Sequence, residues 1–301
     1  MQTCIKNKRE FANVRVPFLL WLMLTRYVFY AIIVAKPNGI LEGQNMKTLL
    51  ILVDGMRPDA LANCKAAQKI MKNSVYTLNA QTVMPSVTLC CHMSLFFGVT
   101  PERHGTKGNT YMPPNRQLLS LLDILAIEKK NVATFYSWGQ LRDLCHPASL
   151  NYSLLIKGAT QGWEEANNRL TDAAIGYINE NNTDLAFLYL GYPDEAGHAH
   201  GWMSKEYMHA MENSWENIAR IMDAIPKEYA VIITADHGGH DHTHGTDIPE
   251  DMTIPLIFAG AERELIGNLN NVNIIDIAPT IAALSQTTPP SDWEGKSLLK
   301  N

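Results

Sequence analysis

Apolar and polar positions along this chain fall into blocks whose period switches between strand and helix. Thr48 to Val53 (TLLILV) is a continuous apolar run, the mark of a strand buried on both faces. Residues 58–73 (PDALANCKAAQKIMKN) follow with helical spacing, and 115–130 (NRQLLSLLDILAIEKK) carry it more strongly. NVATFYS (131–137) reads as a strand, EEANNRLTDAAIGYINEN (164–181) as a helix and LAFLYLG (185–191) as a strand. SKEYMHAMENSWENIARIMDAI (204–225) opens on a serine cap and runs as a long amphipathic helix. YAVIITA (229–235) and IPLIFAG (254–260) are strands, and DIAPTIAALS (276–285) is a helix with Pro279 in its first turn. Strands alternating with helices predict an α/β fold: a mostly parallel central sheet with helices on both faces. No internal repeat or low-complexity tract interrupts the pattern.

Upstream, Val16 to Ala35 (VPFLLWLMLTRYVFYAIIVA) has the length of a membrane span or signal segment, with Lys6, Lys8, Arg9 and Arg15 before it. Arg26 near its middle costs about 2.5–3.5 kcal/mol, while each Leu, Ile, Phe or Val returns roughly 0.3–0.6 kcal/mol, so insertion is only marginally favourable. Ile33-Val34-Ala35 is a poor cleavage site, and Lys36 to Asn45 reads as a linker. Two readings of residues 1–45 stand side by side: a membrane anchor or signal-like segment, or an upstream extension of a chain that starts at Met46. The first puts the protein at a membrane or outside the cell, the second in the cytoplasm. Both leave a single domain at 46–301.

Composition narrows the function classes. The 301 residues are 46% hydrophobic and 18% charged, as in an ordinary folded protein. A formal net charge of -5 leaves no basic footprint, so binding to a nucleic-acid polymer is not expected. Cys4, Cys64, Cys90, Cys91 and Cys145 show no C-x-x-C spacing, which argues against both a disulfide framework and a cysteine zinc site.

The polar residues at strand ends point to chemistry. Asp54 closes the first apolar run, Asp194 follows LAFLYL by four residues, and Asp236 with His237 closes YAVIITADH. Ligands of open α/β sheets bind outside the carboxyl ends of strands. Carboxylates converging there repel one another unless a cation joins them. GYPDEAGHAHG supplies Asp194 and His198, four residues apart and able to reach one ion from a single turn, with glycines that free the backbone to fold tightly. ADHGGHDHTHG supplies Asp236, His237 and one of His240, His242 and His244. Mixed nitrogen and oxygen ligands of this number suit two divalent ions, Zn²⁺ first, Mn²⁺ or Fe otherwise. Such a pair can clamp the attacking and leaving oxygens of a phosphoryl transfer. Thr88, in MPSVTLCCHMSLFFG, stands before a helix-like stretch and is either a nucleophile or an ordinary helix cap.

The ordered set LVDGMRPD, MPSVTLCCHMSLFFGVTPERHG, YPDEAGHAHG and ADHGGHDHTHG resembles the alkaline phosphatase superfamily, and most of all its type I phosphodiesterase/nucleotide pyrophosphatase branch. The resemblance implies that Asp54, Asp236 and His237 hold one ion, with Thr88 as the nucleophile on it, and that Asp194, His198 and His244 hold the other. It gives Asn109, with the backbone N–H of Leu89, to the phosphoryl oxygens. The implied reaction is hydrolysis of a phosphodiester or pyrophosphate bond in a small phosphorylated substrate, through a phospho-threonine. The alternatives are a phosphomonoesterase or a phosphotransferase such as a mutase on the same site and, more remotely, a metal-binding protein without activity. Two features depart from the branch: Leu89 replaces the aromatic that stacks a nucleobase, and His244 follows His237 by only a short loop. Threonine at 88, where a sulfatase has the Cys or Ser that becomes formylglycine, argues against a sulfatase. His200, His240 and His242 are expected at the surface or orienting ligands, His92 and His104 in structural roles, and Cys90 and Cys91 packed in a helix.

Overall fold

The apolar runs become strands of one seven-stranded sheet. The seven strands, five of them those runs, are β1 (Thr48–Val53), β2 (Val75–Gln81), β3 (Val132–Tyr136), β4 (Tyr152–Leu155), β5 (Leu185–Leu190), β6 (Ala230–Thr234) and β7 (Thr253–Phe258). The order across the sheet is β2-β7-β6-β1-β5-β3-β4. The computed structural model describes residues 45–113 and 117–300, so the span expected at Val16–Ala35 and its linker lie outside the described residues. Among the described residues no helix is long and apolar enough to cross a membrane.

β1 pairs in parallel with β5 and β6, β5 with β3, and β3 with β4. The sheet is therefore mostly parallel, as expected, but β7 runs against both β6 and β2. The chain from β6 to β7 holds only the histidine-rich loop and a single helical turn, Pro249–Met252. It supplies no crossover helix of the kind that usually joins parallel neighbours.

Every residue of β1, β5 and β6 is buried, which requires cover on both faces. Two packed sets of helices supply it. One set is α1 (Lys65–Met71), α4 (Trp163–Asn181), α5 (Tyr192–His200) and α6 (Lys205–Ala224); the other is α2 (Thr88–Phe97), α3 (Leu121–Ile127) and α7 (Ile277–Leu284). In α6 the buried Tyr207, Met211, Trp215, Ile218 and Ile221 recur at helical spacing.

The structure corrects two expected helices and adds two strands. Of the helix expected over 115–130, residues 115 and 116 lie outside the described residues and the rest forms Leu121–Ile127, because Ser120 caps it: its Oγ accepts from the Asp123 N–H at 3.2 Å while Asp123 Oδ2 accepts from the Ser120 N–H at 2.9 Å. The helix expected over 58–73 breaks at Cys64, which is extended, into a 3₁₀ stretch (Pro58–Asn63) and α1. Strands β2 and β4 have no continuous apolar run, since their residues alternate between half-buried and exposed.

α6 begins at Ser204, whose Oγ accepts from the Tyr207 N–H at 3.1 Å. Ser204→Ala is expected to lower the unfolding free energy by about 1 kcal/mol, read as an earlier midpoint in a urea melt; an unchanged midpoint would show that this cap adds nothing.

Candidate metal centre

β6, β1 and β5 lie side by side and end level, with Leu52 opposite Thr234 and Val53 opposite Leu190. Asp54 follows β1 directly, Asp236 and His237 follow β6, and Asp194 sits in the first turn of α5, just past β5. Three carboxylates thus meet at the carboxyl edge of the sheet. Gly55 permits this: its φ is +67°, and a Cβ there would lie 3.0 Å from the Asp194 Cα.

The stretch read as a tight glycine turn is instead the nine-residue helix α5, with Pro193 in its first turn. Asp194 and His198 are an i,i+4 pair on one face of it, Oδ2 to Nε2 at 3.5 Å. His244 Nε2 approaches Asp194 Oδ1 at 3.7 Å. His237 Nε2 lies 3.4 Å from both Asp54 Oδ1 and Asp236 Oδ2. Two groups result, Asp54–Asp236–His237 and Asp194–His198–His244, each with ligand atoms within 4.8 Å of one another. The His237 and His244 rings stack at 3.8 Å and 12°, so the groups adjoin.

Each group is oriented toward a cation. Asp54 Oδ2 accepts from the Tyr189 hydroxyl, and Asp236 Oδ1 accepts from the Gly55 N–H at 3.3 Å. Asp54 Oδ1, Asp236 Oδ2 and Asp194 Oδ1 are buried with no hydrogen-bond donor among the described residues. A buried carboxylate oxygen left so is costly unless a cation meets it. The histidines complement them. Nδ1 of His237 faces the Gly238 carbonyl at 2.8 Å, that of His198 the His242 carbonyl at 2.9 Å, and that of His244 the Ser86 carbonyl at 2.8 Å. A carbonyl only accepts, so each Nδ1 carries the proton and each Nε2 offers a lone pair. Three imidazole nitrogens and three carboxylates fit a pair of divalent ions.

Electrostatics agree with the geometry. Burial and the adjacent Asp236 carry the Asp54 carboxyl well above the usual range; burial with Asp54 and Asp236 does the same to Asp194. Burial pushes Asp236 up to about 7. Burial lowers His237, and burial with His237 nearby lowers His244 to about 3.

Thr88 is the first residue of α2, after Val87 at the cap position. Its hydroxyl does not cap the helix; Oγ1 lies 3.1 Å from His237 Nε2. Asn109 reaches the same helix end, Oδ1 accepting from the Leu89 N–H at 3.0 Å.

The remaining polar residues have separate work. His240 Nδ1 is 2.8 Å from Asp251 Oδ1, and Asp251 Oδ2 accepts from the Thr246 N–H and hydroxyl, which closes the histidine loop on itself. His200 is exposed. His92 Nδ1 bonds the Thr88 carbonyl at 2.7 Å, and His104 sits between Ser94 Oγ and the Thr106 N–H. Cys90 and Cys91 are buried, and burial pushes the Cys90 thiol up to about 12. Sequence reasoning missed Tyr189, hidden as one more apolar strand position, and Asp251, an acidic residue in the short helical turn Pro249–Met252 with no motif around it.

Comparison with known proteins accords with this site. Residues 131–289, more than half of the chain, match the family model of the Metalloenzyme superfamily, and residues 48–123 match that of type I phosphodiesterase / nucleotide pyrophosphatase. The chain belongs to the Metalloenzyme superfamily, the alkaline phosphatase superfamily that its motifs resemble. The superfamily is one of metal-dependent enzymes of phosphoryl or sulfuryl transfer. Among similar sequences, the 2,3-bisphosphoglycerate-independent phosphoglycerate mutase of Gluconobacter oxydans is 33% identical over 139 residues, 44% of this chain and 26% of the mutase. That of Haloquadratum walsbyi is 29% identical over 149 residues, 45% and 28% of the two chains. The chain thus spans about a quarter of the length of these curated relatives. Similar folds include murine ectonucleotide pyrophosphatase / phosphodiesterase 5 (TM-score 0.68, 16% identity, 85% of this chain and 100% of that one). Another is the phosphonate monoester hydrolase of Agrobacterium radiobacter (TM-score 0.64, 13% identity, 84% and 76%).

Metal binding must displace protons from the raised carboxyls, whereas His237 and His244 are already neutral near pH 7. Divalent ions are therefore expected to raise the melting temperature by an amount that grows as pH climbs from 3.8, the ordinary Asp value, through about 7, where Asp236 titrates. Differential scanning fluorimetry with and without ZnCl₂ across that range checks this; a gain that is flat with pH would contradict it.

Proposed function

We propose that this chain is a two-metal hydrolase of phosphate esters, acting on phosphodiester or pyrophosphate bonds of a small substrate through a phospho-threonine. The catalytic unit in this reading is 46–301. One observation carries it: the Thr88 hydroxyl stands at the N-terminus of α2, free of any capping role and 3.1 Å from His237 Nε2.

Asp54, Asp236, His237 and Thr88 would hold one divalent ion, and Asp194, His198 and His244 the other, with Zn²⁺ as the expected metal and Mn²⁺ as the alternative. Bound there, the ions supply charge that acidifies the attacking hydroxyl and neutralises phosphoryl oxygens. Thr88 Oγ1 loses its proton to solvent and attacks phosphorus in line. The new P–O bond forms as the bond to the leaving oxygen breaks, and that oxygen regains a proton from water. Water then attacks the phospho-threonine in line, frees Thr88 and releases the phosphate product. The Leu89 N–H, at a helix N-terminus, is placed to donate to a phosphoryl oxygen that takes over from Asn109 Oδ1, and the Asn109 amide N–H can donate beside it. Leu89 itself is fully buried and offers no face to a nucleobase.

A phosphotransferase reading has one observation in its favour: the sequence relatives named above are mutases. There the phospho-threonine passes its phosphoryl group to a second alcohol instead of water. Product analysis with excess acceptor alcohol separates the two: free phosphate product supports the hydrolase, a new phosphate ester the transferase.

Thr88→Ala is expected to keep both ions and to lower turnover of bis-p-nitrophenyl phosphate by on the order of 10³-fold or more. Unchanged turnover in the variant would overturn the nucleophile assignment.

A further inference from the structure

We infer that Trp202 is the positioning residue of the Asp194–His198–His244 group, and that glycines in both histidine motifs are there to admit its indole. The inference rests on the reading of that group as an ion site. Trp202 lies just beyond α5, and two hydrogen bonds and two ring contacts run from it. Its indole N–H donates to the Gly55 carbonyl at 2.9 Å, and its backbone N–H donates to the Asp241 carbonyl at 2.8 Å. Its ring meets the His198 ring edge-on, centroids 5.1 Å apart at 84°, and the His244 ring at 6.0 Å and 65°. One side chain thereby ties together the loop after β1, the end of α5 and the histidine loop.

His198 needs such a wall. Its side chain is 40% exposed, and apart from its partners in the group its one polar anchor is the His242 carbonyl, an arrangement that His242 Nδ1 returns to the His198 carbonyl at 3.0 Å. The indole closes the side that these bonds leave open. The other group relies on different contacts: the Tyr189 hydroxyl, the Gly55 N–H and the Gly238 carbonyl.

The glycines show how closely the indole is fitted. A Cβ at Gly197 would fall 2.7 Å from the ring, and one at Gly239 2.1 Å, both nearer than carbon atoms approach without bonding. Neither glycine has a positive φ, so backbone freedom is not what they supply. Their hydrogens make room for Trp202, which accounts for part of the GHAHG and HGGH patterns that ligand roles leave unexplained.

The test counts ions per chain at graded free Zn²⁺, on the full chain, for the native protein, Trp202→Phe and Tyr207→Phe. Tyr207 donates to the same Gly55 carbonyl at 3.0 Å, so its variant removes a bond there and leaves the indole in place. The expected result is two ions for the native protein and for Tyr207→Phe. Trp202→Phe should lose one ion until free zinc is about 10- to 100-fold higher. Fewer than two ions on the native protein would overturn the two-ion reading itself. Two ions held equally by the native protein and Trp202→Phe, or equal weakening in both variants, would overturn the role of Trp202. Should Trp202→Phe fail to fold, the native chain decides: tryptophan emission is expected to change with the second equivalent of zinc, and emission that stays constant would overturn the inference.

Discussion

Three carboxylates at the ends of neighbouring buried strands repel one another, and the carboxyl edge of this sheet is arranged around that repulsion. The parallel register of β6, β1 and β5 brings Asp236, Asp54 and Asp194 to one level. Complete burial of those strands removes the water that would otherwise screen the charges. Among the described residues, no lysine or arginine pairs with these carboxylates, whose ion-pair neighbours are histidines. The fold anchors one oxygen of Asp54 and one of Asp236 and leaves the other of each pointing inward without a donor among those residues. Protonation relieves such a set at low pH; above it a pair of divalent cations is suited to do so, with one Nε2 lone pair available in the Asp54 group and two in the Asp194 group.

The surrounding elements hold that donor set to a geometry. Asp251 closes the histidine loop through His240 and Thr246, so that His237 and His244 stack with their Nε2 atoms on adjoining groups. His244 is in turn held by the Ser86 carbonyl, two residues before Thr88. The nucleophile candidate and the second group therefore share a support, and both stand where the N-terminal amides of α2 face outward. A loop, a strand end and a helix start from distant parts of the sequence act as one unit.

How much of this was legible beforehand depended on whether the signal was local. The five continuous apolar runs declared their strands, and Asp54 and Asp236 declared the sheet edge by ending two of them. The direction of β7 was not legible, because strand composition is the same in either direction. The glycines of GYPDEAGHAHG point to a tightly folded backbone and hide α5; the helix forms because Pro193 starts it and packing against α6 rewards it. The choice of His244 over His240 and His242 came from family resemblance. The structure gives a physical account of it, since His244 Nε2 lies 3.7 Å from Asp194 Oδ1 within the group while His240 is engaged with Asp251. Tyr189 and Trp202 act across 135 and 147 positions of sequence, and no spacing rule reaches that far.

In the proposed reaction, phosphorus passes through a bond to Thr88. The most direct measurement is an acid quench during turnover of a phosphodiester, followed by mass spectrometry of the peptide that contains Thr88. The account predicts one added phosphoryl group on that threonine, absent from protein stripped of its metals by a chelator. Steady turnover with an unmodified Thr88 peptide at every quench time, or a phosphoryl group on another residue, would contradict it.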